Sequence, residues 1–350
     1  MKKFALAAVA AAALVAGQAQ AQSSVTVFGI ADVGYVRTSA DGTSGSVSRS
    51  QLASDGNSSS RLGFRGTEDL GGGMKAGFWL EGALAIDSPG SLTLQRRSTV
   101  ELSGSMGEIR LGRDYVPTFT NLTVAHHPFG TNGLGNAGQL YYPVPADGTT
   151  SSTHVRSNNG INYFSPNVGG FQANVMYAFG EKASNVGATK KDDTYVGGRI
   201  SYANGPLNLA YATGKTKFVT GDYTQSNFAA NYQLGAAKLM YLWGENKVGV
   251  TKTTNNLVGV QYKLSETGEV RAAYTALKAS GFASNSVVGD ATQVTVGYVH
   301  NLSKRTALYT NYSVVDNKGT GKQFAVGGGD KTTVAGGNSS GYELGIRHSF

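Results

Sequence analysis

The sequence predicts an all-β protein, a 16-stranded antiparallel transmembrane β-barrel with one long loop folded inward. Three observations lead to this fold class. Segments of roughly 10 to 14 residues carry apolar side chains on one parity, and the connections between them alternate between short turns and long loops. A further stretch, from Pro117 to about Ser152, contains bulky apolar residues but follows no period. Apolar residues facing lipid and polar residues facing a lumen produce such alternation along a strand.

The first 21 residues read as an export signal. A pair of lysines precedes an apolar run from Phe4 to Val15, and Ala19-Gln20-Ala21 matches a small-x-small cleavage site. We therefore expect residues 1–21 to be removed and residues 22–350 to form one barrel domain. No later stretch reaches the ~18 consecutive apolar residues that a helical span needs. The mature chain is then either soluble or crosses a membrane as strands.

Composition narrows the function classes. Without its two leader lysines the chain has 28 Lys+Arg against 22 Asp+Glu, and this excess is too scattered for the basic face that nucleic-acid binding requires. The absence of cysteine excludes the disulfide framework of a small secreted scaffold. The 49 Gly and 18 Tyr beside only 7 Pro suit a large antiparallel sheet with many tight turns. We expect no nucleic-acid partner.

Strand alternation recurs along the chain. From Phe171 to Phe179 every odd position is apolar, whereas Gln172 and Asn174 are polar. The same pattern predicts strands across Phe228 to Leu234, Val258 to Leu264, Val294 to Tyr298 and Tyr342 to Phe350, among others. Counting such segments gives about 16, an even number as expected of a single-chain bacterial barrel.

The connections point to the membrane in which such a barrel would lie. Outer-membrane barrels have short turns at one end and long loops at the other. The predicted short turns are Leu70 to Gly73, Pro166 to Gly170, Asn204 to Pro206, Leu264 to Gly268 and Leu302 to Arg305, and the predicted long loops are Thr38 to Asn57, Glu181 to Asp192 and Asn317 to Asn338. We therefore expect the protein in a Gram-negative outer membrane, surrounded by its lipid.

The aperiodic stretch predicts a channel. A structureless loop of more than 30 residues is improbable in a compact domain unless it is functional or disordered. Its bulky side chains indicate that it packs against something, and in a barrel the available place is the lumen. There it would narrow the bore opposite Arg113 and Arg156.

Several segments resemble the trimeric general porins of the Gram-negative outer membrane, most closely the betaproteobacterial branch. They extend from near residue 25 to the end of the chain, so the resemblance covers the whole mature protein. The matching segments are Val27 to Asp32, Ser60 to Gly73, Leu111-Gly112-Arg113, Leu302 to Thr306 and Gly345 to Phe350.

The resemblance implies a water-filled channel for passive diffusion of small hydrophilic solutes and ions. In that family the loop after the Gly-Arg strand forms a constriction that faces a ladder of arginines, and the terminal Phe350 resembles the signal read by the outer-membrane assembly machinery. It also implies a homotrimer. The residues that it places at the constriction are Arg61, Arg113 and Arg156, with Arg65 and Arg97 as neighbours and His127 and Phe129 at the loop tip.

The loop tip departs from the enterobacterial pattern of this family. That pattern is Pro-Glu-Phe-Gly, whereas this chain has His127-Pro128-Phe129-Gly130 and no acid from Tyr115 to Ala146. Without a carboxylate opposite the arginines, the constriction would be positive. We therefore expect inorganic and organic anions to be favoured.

Other interpretations remain open at this point. The arginines are alternatively solvated lumen residues or partners of Asp32, Glu81, Glu101 and Asp114. His126 and His127 suit solvated loop residues that tune the pore with pH better than a metal site, because adjacent residues do not converge on one ion. We expect no catalytic residue, metal or cofactor. A barrel enzyme and a structural or adhesive barrel are the competing classes, and liposome swelling separates them because only a channel admits small solutes without turnover.

Overall fold

The computed structural model describes residues 24–123, 125–136, 138–141 and 154–350. The expected export signal lies outside these residues, so its cleavage after Ala21 stays a prediction. Part of the aperiodic stretch, residues 142–153, also lies outside them. Within the described residues, no helix is long and apolar enough to cross a membrane.

The described chain is nearly all β-sheet, with two one-turn α-helices and a short 3-10 helix at Gly187–Lys191. The elements are, in order, β1 Ser24–Ala40, β2 Val47–Ser54, β3 Arg61–Gly71, β4 Met74–Ala83, β5 Arg97–Gly104, β6 Gly107–Tyr115, α1 Pro117–Thr120, α2 Gly138–Tyr141, β7 Arg156–Phe164, β8 Phe171–Ala178, β9 Tyr195–Asn204, β10 Leu207–Thr216, β11 Tyr223–Leu234, β12 Ala237–Val248, β13 Thr251–Lys263, β14 Gly268–Ser280, β15 Ala291–Asn301, β16 Thr306–Asn317 and β17 Asn338–Ser349.

The strands form one closed antiparallel barrel. From β3 onward each strand pairs with the next, and β17 returns to pair with β1. The C-terminal half of β1 pairs with β2 from Val33↔Ser54 onward, and its N-terminal half pairs with β3 up to Ile30↔Arg61. β2 and β3 therefore share one position in the wall, and the barrel has 16 positions as predicted. Closure is required in lipid, where each unpaired backbone group costs several kcal/mol.

Alternating exposure separates the two faces of the wall. On β8, Val175 is 54% exposed and Tyr177 43%, whereas Met176 and Ala178 between and after them are fully buried. The exposed apolar residues face outward, and the buried ones face the filled interior. The alternation predicted for this strand is confirmed, because odd-numbered and even-numbered residues face different environments, the outside and the interior of the barrel.

The connections follow the predicted asymmetry with one correction. The loops over residues 179–194 and 318–337 lie at the same end, and short turns such as Gly72-Gly73 lie at the other. The predicted loop from Thr38 to Asn57 is wrong, because β1 and β2 extend into this region and pair through Ala40↔Val47. The Gly- and Ser-rich composition of this segment indicated a loop. Backbone hydrogen bonds between β1 and β2 nevertheless hold the hairpin together, although it has no apolar face.

The terminal residue closes the seam of the barrel. The backbone N–H of Gly29 donates to Phe350 O at 3.0 Å, and Phe350 N–H donates back to Gly29 O at 3.1 Å. The Phe350 ring occupies the place where a side chain at position 29 would point, and a Cβ there would also lie 2.8 Å from Arg61 O. Phe350 therefore lies beside the first strand, and the contact depends on a residue without a side chain.

We expect Gly29→Val to destabilise the folded barrel by about 1–3 kcal/mol, because the added methyl groups displace the Phe350 ring from the seam. The temperature at which the folded band disappears from an unheated gel measures this effect. Gly90→Val is the matched control, since nothing lies within 4 Å of a Cβ at position 90. Equal midpoints for the two variants would contradict the role of Gly29.

Candidate functional site at the channel constriction

The chain between β6 and β7, residues 116–155, is here called the inner loop, and its described part folds into the barrel. Its described part lies against the inside of β9 to β15. Asn121 Nδ2 donates to Asn227 Oδ1 on β11 at 2.8 Å, and Gln261 Nε2 on β13 donates to Pro128 O at 3.1 Å. The wall thus supplies hydrogen-bond partners that the irregular backbone of the loop lacks.

Apolar side chains of the inner loop enter sockets in the same wall. The Phe129 ring packs where a Cβ at Gly297 of β15 would lie, 2.9 Å from Phe129 Cε1. Pro128 packs on Gly259 of β13, where a Cβ would lie 2.5 Å from Pro128 Cγ. The prediction that the bulky loop residues pack against the barrel interior therefore holds for this part of the loop.

Two histidines of the inner loop, His126 and His127, belong to this packed layer. His126 is 1% exposed and His127 2%, so the interpretation of both as solvated residues is wrong. His127 Nδ1 accepts the backbone N–H of Phe129 at 3.1 Å. Burial lowers the pKa of His126 to about 4 and that of His127 to about 3. Both are therefore neutral at physiological pH.

Neither His127 nor Phe129 lines the open channel. Phe129 is 4% exposed, and its ring points toward β15 rather than toward the arginines. Their expected place at the lumen surface was wrong because an irregular loop has no period from which the direction of a side chain follows. These two residues anchor the loop on the side that faces away from the opening.

The opening lies between the inner loop and the wall formed by β3 to β7. It is a cavity of about 400 Å³, here called the constriction. One side carries three arginines and a tyrosine, and the other carries small polar loop residues. The lining residues are Arg61, Arg96, Tyr115, Val155 and Arg156 on the wall side, Phe119, Thr120, Thr123, Gly130, Thr131 and Asn132 on the loop, and Ser58 and Ser59 between β2 and β3.

Two of the arginines share one carboxylate. Glu81 on β4 is 4% exposed, and its Oε1 lies 2.6 Å from Arg96 Nε and 3.5 Å from Arg61 Nη1. Trp79 Nε1 donates to the other oxygen of Glu81 at 3.1 Å. The carboxylate thus offsets one of the two positive charges and holds both guanidinium groups at the wall.

Arg156 has no carboxylate of this kind. Its Nη2 donates to the Tyr115 hydroxyl at 2.8 Å, and its guanidinium lies 4.4 Å from the centre of the Tyr115 ring. Arg96 Nη2 donates to the same hydroxyl at 3.0 Å. No acidic side chain of the described chain lies within salt-bridge distance of Arg156. The wall side of the constriction therefore carries three guanidinium groups and the Glu81 carboxylate, and Asp55 between β2 and β3 is a second carboxylate near Arg61 and Arg96.

Arg65 and Arg97 lie on the lumen side but outside the constriction. Their guanidinium groups lie 5.1 Å and 4.6 Å from the ring of Trp79, on the side of the β3–β4 turn. Arg97 also pairs with Glu101, and its Nε lies 3.8 Å from Asp114 Oδ1. For Arg97 the alternative interpretation holds, because acidic partners neutralise the charge of its guanidinium group.

Arg113 does not join the constriction. It pairs with Ser98 in the register of β5 and β6, on the outward face that also carries Leu111. Its side chain donates to Asn158 Oδ1 at 2.6 Å and to Gln95 O. The expected convergence of three predicted arginines is thus met by Arg61 and Arg156, and strand alternation turns Arg113 away.

Arg96 is the residue that the sequence reasoning missed. The inward parity of Arg97 and Thr99 would place Arg96 outward. Residue 96 lies before β5 begins, however, and the pleat does not constrain it. Its backbone N–H donates to Glu81 O at 2.9 Å, and its side chain turns into the lumen. An arginine directly before a strand, facing an acid on the neighbouring strand, was the available signal.

A closed antiparallel barrel whose lumen is narrowed by an internal loop and lined by arginines defines an outer-membrane channel protein. The chain belongs to the Gram-negative porin family, whose family model matches residues 5–320. It lies in the outer membrane, and small solutes and ions are what such a channel admits.

Individual relatives agree with this family. The chain is 40% identical to outer membrane porin protein 32 of Delftia acidovorans, with 100% of both chains covered. It is 29% identical to an outer membrane porin of Bordetella pertussis, again over 100% of both. Among solved structures, the anion-selective porin from Comamonas acidovorans superposes with a TM-score of 0.82 at 39% identity, covering 94% of this chain and 100% of that one.

The buried histidines predict how the barrel responds to pH. Their folded pKa values lie below the ordinary value of 6.5, so protons bind the unfolded chain first. The stability that they contribute is fully present above about pH 6.5 and is lost as the pH falls toward 4. We expect the difference in unfolding midpoint between the native protein and His126→Asn to shrink from about pH 7 to about pH 5.

The anion/cation permeability ratio of the native protein and of His126→Asn should stay equal over the same pH range, because a neutral, buried ring adds no charge to the lumen. A ratio that rose in the native protein alone on acidification would show that His126 titrates within the pore.

Proposed function

We propose that the channel prefers anions. The observation that carries this proposal is the charge at the constriction, where three guanidinium groups, offset by Glu81 and the nearby Asp55, face described loop residues without acids. The described loop residues that line the opening are Phe119, Thr120, Thr123, Gly130, Thr131 and Asn132, none of which is acidic. Small hydrophilic solutes and inorganic or organic anions would pass by passive diffusion.

The size of the preference follows from Coulomb's law. A unit anion about 8 Å from a guanidinium group gains roughly 0.5 kcal/mol at the dielectric constant of water. The one positive charge left uncompensated by Glu81 and Asp55 would then favour an anion in the constriction by about twofold over bulk water. Salt reduces this preference, since the Debye length is about 10 Å at 0.1 M.

Two further observations support the proposal. The similar structure from Comamonas acidovorans is that of an anion-selective porin, and it shares 39% of its residues with this chain. Arg97 is neutralised by Glu101 and Asp114, whereas Arg156 at the constriction has no acidic partner among the described residues. We propose a channel without enzymatic activity, since an internal loop that narrows the lumen serves passage rather than turnover.

The predicted site residues divide accordingly within this proposal. Arg61 and Arg156 act directly on passing ions, and Arg96 joins them. Arg65 and Arg97 extend a basic, partly neutralised path beyond the constriction. Phe350 serves closure of the seam and, by family resemblance, recognition by the assembly machinery.

We expect Arg156→Gln to lower the anion/cation permeability ratio, because it removes the guanidinium without a carboxylate partner. The reversal potential across a planar bilayer in a KCl gradient measures the ratio, and the loss should be largest at low salt. Arg305→Gln is the matched control, because Arg305 is exposed in the turn between β15 and β16, away from the constriction, and should leave the ratio unchanged. A cation-selective native pore, or equal ratios for Arg156→Gln and the native protein, would contradict the proposal.

An added acid should act in the same direction. The enterobacterial pattern has its acid at the position of Pro128, but Pro128 is buried against Gly259, where a carboxylate would not face the pore. Thr131 lines the constriction, so the same measurement on Thr131→Glu should give a lower ratio, with Thr131→Gln as the control of equal size.

We also propose that the protein assembles as a homotrimer. The outward face around β5 and β6 carries Arg113, and a basic residue facing lipid costs about 2–4 kcal/mol near the bilayer midplane. The adjoining loop over residues 84–96 exposes Ile86, Leu92 and Leu94 by 36%, 43% and 36%. A second copy would cover these apolar side chains and remove Arg113 from lipid.

We expect crosslinking of the detergent-extracted protein to give three copies, and Leu92→Asp with Leu94→Asp to reduce this species. Val168→Asp is the control, since Val168 is 71% exposed in a turn at the opposite end of the barrel. Monomers alone from the native protein, or equal trimer yields from the double variant and the control, would count against the proposed interface.

A further inference from the structure

The wall of the barrel is interrupted once between β2 and β3. β1 pairs with Ser54 through Val33 and with Arg61 through Ile30, so two residues of β1 stand opposite six residues of the other chain segment. These six residues, Asp55 to Ser60, are here called the strut. Such a surplus must leave the plane of the sheet. It turns inward, because Ser58 and Ser59 line the constriction.

The strut is pinned to the wall by one buried carboxylate. Asp32 on β1 is fully buried, and its Oδ2 accepts the backbone N–H groups of Asn57 at 3.0 Å and Ser58 at 2.7 Å. Tyr309 on β16 donates its hydroxyl to Asp32 Oδ1 at 2.6 Å. The Ser60 hydroxyl donates to Asp32 O and accepts from Asp32 N–H, both at 3.0 Å. Both backbone and side chain of Asp32 therefore hold the surplus residues.

The other side of the strut holds the inner loop. Gly133 N–H donates to Asp55 O at 2.9 Å, and the Ser59 hydroxyl donates to Asn132 Oδ1 at 2.7 Å. Gly133 has φ of +60°, and a Cβ there would overlap Gly56 O. The close approach of loop and strut thus requires glycine at position 133.

The contact between the strut and the inner loop, here called the bridge, separates two openings. On one side lies the constriction, and on the other lies a cavity of about 180 Å³ between the strut, the inner loop and the wall. Asn132 lines both, while Ser59 faces the first and Asp55 the second. The bridge is therefore the partition between them.

We propose that the strut, held by Asp32 and Tyr309, sets the bore by fixing the distance between the inner loop and the arginine wall. Asp32 does not line the constriction, so it is a positioning residue that acts through the strut. Release of the bridge would join the two openings and admit larger solutes. This inference rests on the proposed role of the constriction, but it concerns the bore rather than the sign of the selected ion.

Two variants test the two ends of the bridge. Ser59→Ala removes the hydrogen bond to Asn132, and Tyr309→Phe removes the donor to Asp32 while the ring remains. Tyr163→Phe is the control, because Tyr163 donates its hydroxyl to Met106 O at 2.7 Å beside the turn between β5 and β6, away from the strut and the inner loop. Neutral sugars of increasing size in liposome swelling report the bore independently of charge, and single-channel recordings report the time spent at each conductance level.

We expect Ser59→Ala and Tyr309→Phe to spend about fivefold more time at a wider conductance level than the native protein, since one hydrogen bond changes an equilibrium by about that factor. Both should admit a larger sugar, whereas Tyr163→Phe should behave as the native protein. If Tyr309→Phe does not fold, Ser59→Ala decides, because its side chain faces the lumen and supports no buried charge.

The outcomes separate this inference from the proposed anion preference. Native sugar limits in Ser59→Ala, in a protein whose reversal potential shows anion preference, would overturn the strut alone. A wider bore in both variants of a protein without anion preference would overturn the proposed function and support the strut. A wider bore in Tyr163→Phe as well would show general loosening of the barrel and would overturn the assignment to the strut.

Discussion

The requirement that every backbone group facing lipid be paired controls the rest of this structure. It forces β17 to return to β1, and it places Phe350 on Gly29 at the seam. Irregular chain is then tolerated only on the water side, so both the inner loop and the strut turn inward. Asp32 supplies acceptors for N–H groups that the sheet no longer pairs. The features that narrow the pore are thus consequences of a wall that must stay closed.

Charge is distributed unevenly along the lumen, and the packing explains how. Arg97 meets Glu101 and Asp114, but at the constriction Arg96 and Arg156 converge on the neutral hydroxyl of Tyr115. Glu81 pairs with Arg96, whereas Arg156 has no acidic partner among the described residues, so its charge is screened by water or a passing anion. The described loop residues that line the opening offer no carboxylate, and burial keeps His126 and His127 neutral. The arrangement therefore leaves its positive charge available to the solution in the pore.

Strand number and facing followed from the sequence because the parity of a strand is a local property. The predictions failed where the alternation of a strand ends and where contacts with distant residues decide the direction of a side chain. Arg96 precedes its strand and turns inward, Arg113 follows the alternation of β6 and turns outward, and a motif match could not separate these cases. His127 and Phe129 lie in an irregular loop, where side-chain direction depends on contacts with strands more than 100 residues away in sequence, such as Gly297 with Phe129.

Those distant contacts show how the sequence nevertheless specifies the loop position. Glycine inside a strand usually weakens it, because the residue adds no packing and loses more entropy. In this barrel, inward-facing glycines on the wall opposite the arginines receive the loop: Gly244 takes Tyr141, Gly259 takes Pro128 and Gly297 takes Phe129. A larger residue at any of these positions would push the loop toward Arg61 and Arg156. The bore is therefore determined by the glycine sockets, on the side of the loop that faces away from the opening, and by the strut, which contacts the edge of the loop. The arginines determine only the charge of the opening.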